Sequence, residues 1–545
     1  MGLGVLDAGS PGMIIPGTVV LAVDDSASLS DSSVINLKRG TGKHRDIILI
    51  PQPSDDPNDP LNWPYYQKLM IVVIIVLGGC GCAAVNGPLL NPSVFVMSLE
   101  FKRPIADITV ASGYQLLLAG AMGPFVSATA RKYGKRPLFI FSSLACLIGT
   151  IVGSFSTNYD TLLAARIVQG VSIAAYESLS FTLCGDIFFV HERGLYVSVM
   201  SFTMTCVSSL SSVVGGKLSN DLGWHYLFHI LNVFIGFQLL LLFFFVPETC
   251  YRRNPEPTTV LQAVAEDEKD QTAMTEVYNV NDNQAPSQIP KKTFWQSLAI
   301  FTGSYTDESL IRLFLAPLIS CLNLAALWTV VITGAVVSFY VGVAYVTAQL
   351  FAPPPYNLSP AGVGYMSIGP FVGGVLGCLI AGALMDPLTI WLSKRNGGVY
   401  EAEFRLPLVA VGVLCGAGLM AFGSLSEGHG NIYVICFAWG LALVGITFII
   451  VPCSAYAIDA FRSISDEVFI LNIMFKNFLF YAYSYFINNW TAASGPVPVF
   501  YTFGGISFGL VATTAIVYVF GKRYRVFWHR HNIMAKFGME GSLAM

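Results

Sequence analysis

From Leu69 onward the chain alternates long apolar runs with short polar breaks. The first six runs cover Leu69 to Leu90, Ile108 to Ala130, Leu138 to Phe155, Leu162 to Cys184, Leu195 to Leu218 and Tyr226 to Val246. A polar stretch follows from Pro247 to Leu310, with the acidic run Glu266-Asp267-Glu268-Lys269-Asp270 and no apolar periodicity. Six more runs succeed it, at Ser320 to Val346, Gly362 to Met385, Leu406 to Leu425, Ile432 to Ile458, Val468 to Trp490 and Val499 to Phe520. An α-helix of roughly 20 apolar residues crosses the hydrocarbon of a bilayer. The pattern therefore predicts an all-α membrane protein with twelve transmembrane helices in two six-helix halves.

The expected domains are an N-terminal tail over 1–66, a first half over 67–246, a linker over 247–311, a second half over 312–520 and a C-terminal tail over 521–545. The first tail is rich in Gly, Pro, Ser and Asp and reads as largely disordered, with Trp63, Tyr65 and Tyr66 at the headgroup level. No signal peptide is expected, because Pro and acidic residues break the first apolar stretch.

Composition agrees with lipid as the solvent. Of 545 residues 54% are hydrophobic and only 12% charged, and the mean hydropathy is +0.62. Between Arg312 and Asp386 there is no Asp, Glu, Lys or Arg, which excludes a soluble enzyme. The net charge of −3 argues against nucleic acid, whose binding needs surplus cations. Most of the 11 cysteines lie inside apolar runs and read as small hydrophobes, so neither a disulfide framework nor a metal site is expected. The absence of a Gly-x-x-x-x-Gly-Lys-Ser/Thr loop excludes ATP chemistry of that type, and no cofactor is expected.

Arg131-Lys132-Tyr133-Gly134-Lys135-Arg136-Pro137 packs four cations into a tight turn between two apolar runs. Short Lys- and Arg-rich loops stay cytoplasmic, so this turn and the other cation-bearing loops predict both termini inside. Gly134 permits the turn, and its cations suit nearby helix C-termini.

Charged side chains within membrane runs are costly and mark function by default. Arg166 and Glu177 lie on one run, eleven residues and ~16 Å apart along a helix, on nearly the same face. Glu177 reads as a proton or substrate site or as a structural partner for a neighbouring helix; Arg166 reads as functional or as a brace to a backbone carbonyl. Lys476 either faces the cavity and pairs with an acid such as Glu177 or snorkels to the surface. Candidate cavity-lining groups are Asn86, Tyr114, Gln115, Tyr176, Trp439, Asn472, Tyr481 and Tyr483. Asp459, Asp466 and Glu467 read as solvated at helix ends. Asn357-Leu358-Ser359 and Asn489-Trp490-Thr491 fit the glycosylation pattern, close to the bilayer.

These motifs, from about Pro51 to Trp528, resemble the major facilitator superfamily and, within it, the fungal drug:proton antiporter branch that includes polyamine- and histidinol-type transporters. Gly134-Lys135-Arg136-Pro137 is similar to the family's loop between helices 2 and 3, although Arg131 stands where an acid is usual. Arg166-Ile167-Val168-Gln169-Gly170 is similar to the Arg-x-x-Gln-Gly motif of helix 4, which the family associates with proton coupling. Asp186 with His191-Glu192-Arg193-Gly194 resembles the following inner loop. Of the antiporter signature in helix 5 only Gly215 and Gly216 match, with Ser211, Ser212 and Val207 in place of Gly-Pro and the leading Gly, so a weaker kink and looser packing are expected there. Gly223-Trp224-His225-Tyr226, Pro247-Glu248-Thr249, Pro354-Pro355-Tyr356-Asn357 and Glu403-Phe404-Arg405-Leu406 match the branch at the same helix boundaries.

The resemblance implies a secondary carrier of the plasma membrane, monomeric, moving a small organic molecule by alternating access with protons as the coupling ion. Export of drugs or secondary metabolites is the leading expectation. Uptake of a polyamine-like cation is the alternative, favoured by Glu177. A non-transporting nutrient receptor is a third, disfavoured by a C-terminal tail of 25 residues.

Overall fold

The computed structural model describes residues 5–6, 17–20, 54, 56–189, 192, 196, 199–200, 202–251, 293–461 and 464–531. The acidic run at 266–270, His191, Arg193 and Gly194 of the expected inner loop, and the chain beyond residue 531 lie outside them.

In chain order the helices are α1 (Tyr65–Gly79), α2 (Val94–Phe101), α3 (Ile105–Tyr133), α4 (Arg136–Ser154), α5 (Tyr159–Ile187), α6 (Ser208–Leu222), α7 (His225–Phe245), α8 (Leu310–Ser320) and α9 (Leu324–Phe351). There follow α10 (Pro360–Tyr365), α11 (Ile368–Arg395), α12 (Val413–Glu427), α13 (Ile432–Ala460), α14 (Ser465–Ser494) and α15 (Pro496–His531). Each of the twelve apolar runs meets a helix among the described residues, the fifth only in part. Ten spans are long and apolar enough to cross a membrane. α14 is not among them although it is 30 residues long, because Asp466, Glu467, Lys476 and several asparagines dilute its apolar character.

Polar residues at helix starts satisfy the first free N–H groups, as the ends of buried helices require. The Asn158 side chain accepts from Thr161 N, Asn323 from Ala325 N and Ala326 N, and Asn431 from Tyr433 N. Gly134, at φ 98°, makes the turn out of α3 that a side chain would resist.

Buried apolar side chains gather into two large clusters, one drawn mainly from Ile71 to Val246 and one from Ala316 to Val511. Outward faces carry exposed Val233, Phe237, Leu379 and Phe437, the arrangement expected where the surroundings are lipid. The two clusters meet along α3 and α14, which run antiparallel from Tyr114–Tyr481, with ring centroids 5.2 Å apart, to Arg131–Glu467. They meet again where Gly216 approaches the backbone of Gly364 and Pro360.

Three features depart from the sequence reading. The first apolar run is not one continuous α-helix: a π turn at Cys80–Ala84 and a 3₁₀ turn at Pro88–Ser93 interrupt it around Asn86-Gly87-Pro88, since Pro88 supplies no backbone donor. The last helix continues past Phe520 to His531, because Arg525 is enclosed by Glu401, 2.9 Å away, and Glu403, 2.6 Å away. A short antiparallel strand pair joins β1 (Thr18–Val20) to β2 (Val399–Glu401), so the N-terminal segment meets the second half at the same end as the Arg131 turn. On α6 the matching Gly215 allows a close approach, since a Cβ there would meet the Leu89 carbonyl oxygen at 2.6 Å.

Candidate functional site

α5 carries the two charged groups of the first half's interior, and α14 faces it from the second half. Three charged side chains stand at depth between the halves among the described residues: Arg166, Glu177 and Lys476. They form two layers.

In the layer nearer the Arg131 turn, Lys476 Nζ donates to Glu177 Oε1 at 2.9 Å and Asn477 Nδ2 donates to Glu177 Oε2 at 3.1 Å. Both side chains of the ion pair are 19% exposed, so the contact is neither a solvated surface pair nor a sealed one. The near approach of the two helices makes the reach feasible: Gly120 of α3 sits against Asn477, where an added Cβ would lie 3.0 Å from the Asn477 Cβ. Of the two readings of Lys476 left open by the sequence, the structure has the pairing with Glu177.

In the other layer Arg166 is sealed from solvent. Its Nη1 donates to the Asn86 carbonyl at 2.7 Å, to Gln169 Oε1 at 3.1 Å and to Gln115 Oε1 at 3.2 Å. The Asn86 carbonyl is available because α1 breaks there, leaving a backbone acceptor without a helical donor. The Phe228 ring lies 5.5 Å below the guanidinium. Gln169 in turn donates to Thr150 Oγ1 at 3.2 Å, tying α5 to α4. Arg166 thus does brace a backbone carbonyl, but only with one of its two terminal nitrogens.

The remaining candidates are scattered. Tyr114 and Tyr481 face each other across α3 and α14. Tyr176 turns away from the interface: it is enclosed in the first half, hydrogen-bonded to Ser143 Oγ at 2.6 Å and accepting from Gln238 Nε2 at 3.1 Å. The cause is helical phase, since Tyr176 precedes Glu177 by one residue and so points about 100° away. Asn472 accepts from Thr333 Oγ1 at 3.1 Å inside the second half, beside a small pocket lined by Thr329, Cys453 and Phe469. Trp439 is buried against Tyr340 and Phe422, and Tyr483 against Phe503. Asn357 is exposed in the connection after α9, whereas Asn489 is exposed on α14 itself.

The basic turn is held by carboxylates that the sequence reading had not assigned to it. Glu248 accepts from Lys135 N and Arg136 N, each at 3.0 Å, capping the start of α4. Lys135 Nζ bonds Asp186 at 2.5 Å; burial disfavours its charge, but the Asp186 carboxylate outweighs this and holds the ammonium above its ordinary value. Arg136 Nη2 donates to the Phe243 carbonyl at 2.8 Å. Arg131 crosses to the second half, 2.7 Å from Glu467 and 3.8 Å from Asp466. Glu467 is buried rather than solvated, and Asp459 is paired with Arg405 at 2.5 Å. A glutamate two residues into a helix reads as surface unless its partner, here 336 positions earlier (467 − 131), is known.

A model of the Major Facilitator Superfamily matches residues 69–463. The MFS-type transporter C1271.10c of Schizosaccharomyces pombe is 24% identical over 557 residues, covering 94% of this chain and 92% of that protein. Protein HOL1 of Saccharomyces cerevisiae is 23% identical over 563 residues, covering 90% and 93%. Among solved structures a D-xylose-proton symporter superposes with a TM-score of 0.57 at 15% identity, over 82% of this chain and 97% of that one, a likeness of fold alone.

Proposed function

Because the chain belongs to the major facilitator superfamily, and so is a multi-pass membrane transporter of small molecules, we propose that it is a monomeric proton-coupled exporter of drugs or secondary metabolites at the plasma membrane. The halves 67–246 and 312–520 alternate around the Glu177–Lys476 pair, and the Arg131 end, with both termini, faces the cytoplasm. The observation that carries this reading is that pair, because it is the charged contact at depth that joins one half to the other.

The pair suits coupling for a physical reason. While Glu177 is ionised, Coulomb attraction and two hydrogen bonds hold α5 to α14. A proton on Glu177 removes the attraction and leaves Lys476 seeking water, which favours separation of the halves. Loss of the proton after access has changed re-forms the contact. At the Arg131 end a second inter-half pair, Arg131–Glu467, latches the same two sides. Both pairs join α14 to the first half, so opening at that end requires them to yield together.

Uptake of a polyamine-like cation draws on Glu177 as a free anionic site. Lys476 already occupies it, so a cationic substrate must first displace a tethered ammonium. Expression in a transport-deficient yeast tests the choice. Resistance to a panel of toxic organic compounds, abolished by a protonophore and by Glu177→Gln with membrane location retained, is the expected result; accumulation of labelled spermidine without resistance overturns export.

A further inference from the structure

The layer around Arg166 has more donors than the protein can use. Arg166 Nη2, Gln115 Nε2 and the Tyr345 hydroxyl have no hydrogen-bond partner among the described residues. All three residues are deeply buried, at 1%, 0% and 5% exposure. Tyr345 comes from α9 in the second half, which packs against the Pro88–Ser93 turn next to Asn86, so the group draws on both halves. Buried donors without acceptors are rare in folded proteins, and one on a charged group is the most costly kind. Arg166 and Gln115 meet at the Asn86 carbonyl, where the first apolar run is broken, the kind of interruption that lines solute paths in carriers.

The charge balance gives the complementary chemistry. Arg166 is surrounded by neutral acceptors, the Asn86 carbonyl and the side chains of Gln115 and Gln169. Glu177 is neutralised by Lys476, about 16 Å along α5. Among the described residues this layer therefore carries one positive charge with no anionic partner, together with donors that have no acceptor. A planar group with two acceptor oxygens matches a guanidinium fork, whereas an ammonium meets the like charge of Arg166. The orphan acceptor of the layer, Asn86 Oδ1, complements a hydroxyl on the same solute.

We propose that Arg166, Gln115 and Tyr345 form a subsite for the carboxylate of the transported solute, which makes that solute an organic acid rather than a polyamine. This rests on the transporter reading above and names its substrate class. Bringing Tyr345 to the carboxylate requires the two halves to close, so the solute is gripped in the occluded arrangement and loses one donor when they part.

Equilibrium binding to the purified full-length protein tests the subsite without any gradient. The probes are benzoate, salicylate and 2-naphthoate against benzyl alcohol, benzylamine and spermidine, measured by calorimetry and thermal shift. At least one acid is expected to bind more tightly than the matched alcohol, with benzylamine and spermidine weaker still. Tyr345→Phe, which keeps shape and removes only the hydroxyl, is expected to weaken the acid about tenfold, and Arg166→Gln further. Arg166→Lys should restore part of the affinity by charge alone. Tighter binding of the amines, no binding by any acid, or acid affinity unchanged in Tyr345→Phe and Arg166→Gln overturns the subsite. Failure of the coupling reading looks different: acid binding persists, but a proton gradient imposed on reconstituted vesicles drives no acid movement.

Discussion

Lys476 Nζ stands 2.9 Å from Glu177 Oε1, although the two residues lie 299 positions apart in the chain. The contact is oriented by Asn477, which donates to the second carboxylate oxygen at 3.1 Å, so the carboxylate is gripped by consecutive residues of one helix. Consecutive residues point about 100° apart, which places Glu177 in the wedge between their side chains.

This geometry separates the effects of charge and shape. Glu177→Gln keeps the shape and the bond to residue 477 but removes the attraction, so membrane location should persist while proton-dependent transport is lost. Lys476→Met leaves an unpaired carboxylate in the interior and should lower stability by roughly 1–3 kcal/mol, read as a lower melting temperature in detergent. The double variant should recover much of that stability without recovering transport. Full transport with unchanged pH dependence in Glu177→Gln sinks the coupling role.

At the basic end Arg131 lies 2.7 Å from Glu467, again between α3 and α14. Arg131→Glu places like charges together and should favour the state open at that end. Cysteines placed near Lys132 and Asp466 should then react faster with a water-soluble maleimide. The exchange Arg131→Glu with Glu467→Arg should return the rate toward that of the parent protein. Equal labelling in all three proteins contradicts a latch.

Much of this architecture is legible in the sequence because membrane helices must satisfy their own backbone and must be apolar outside. Run length therefore reports where the helices lie, since each of the twelve apolar runs meets a helix among the described residues. The site is less legible because it is built between helices. Arg166, Glu177 and Lys476 stand out by the cost of charge at depth, but the phase that turns Tyr176 inward is set by packing against Ser143 and Gln238. The burial of Glu467 depends on Arg131, and the role of Tyr345 on Arg166, in each case a residue of the other half. Asn86-Gly87-Pro88 did carry a local signal for the break in α1, in the form of a turn-forming triplet inside an apolar run.

The close approach of α3 and α5 is set by Gly170. A Cβ there would collide with the backbone of Gln115, and backbone cannot rotate aside. Gly170→Ala should lower stability by about 1–3 kcal/mol and, by shifting Gln115, disturb the Arg166 layer as well. A melting temperature equal to that of the parent protein is inconsistent with this packing.

The buried cluster at the end of α15 should matter more for stability than for transport. Arg525 bridges Glu401 and Glu403, all three at 1% side-chain exposure or less. Arg525→Met leaves Glu401 with Lys522 at 2.8 Å and the Thr18 hydroxyl at 2.7 Å, takes the cation from Glu403, and should cost about 3–5 kcal/mol. Adding Glu403→Gln to that variant should recover part of the loss, because it removes one of the stranded charges. Recovery by Glu403→Gln distinguishes electrostatics from the lost packing of a long side chain, which a second substitution cannot restore.

The Lys135–Asp186 pair gives a pH signature distinct from that of Glu177. Asp186 holds the Lys135 ammonium above its ordinary value, so the pair's contribution is complete below the unfolded-state value and is lost only as pH rises through the higher folded one. Lys135→Met should therefore lower the melting temperature by the same amount at every pH from mildly acidic to mildly alkaline. The gap to the parent protein should close only in strongly alkaline solution, where the parent loses the same charge. The measurement is a melting series across pH for both proteins. A gap that already shrinks on moving from neutral to mildly alkaline pH means that burial, not Asp186, dominates at Lys135.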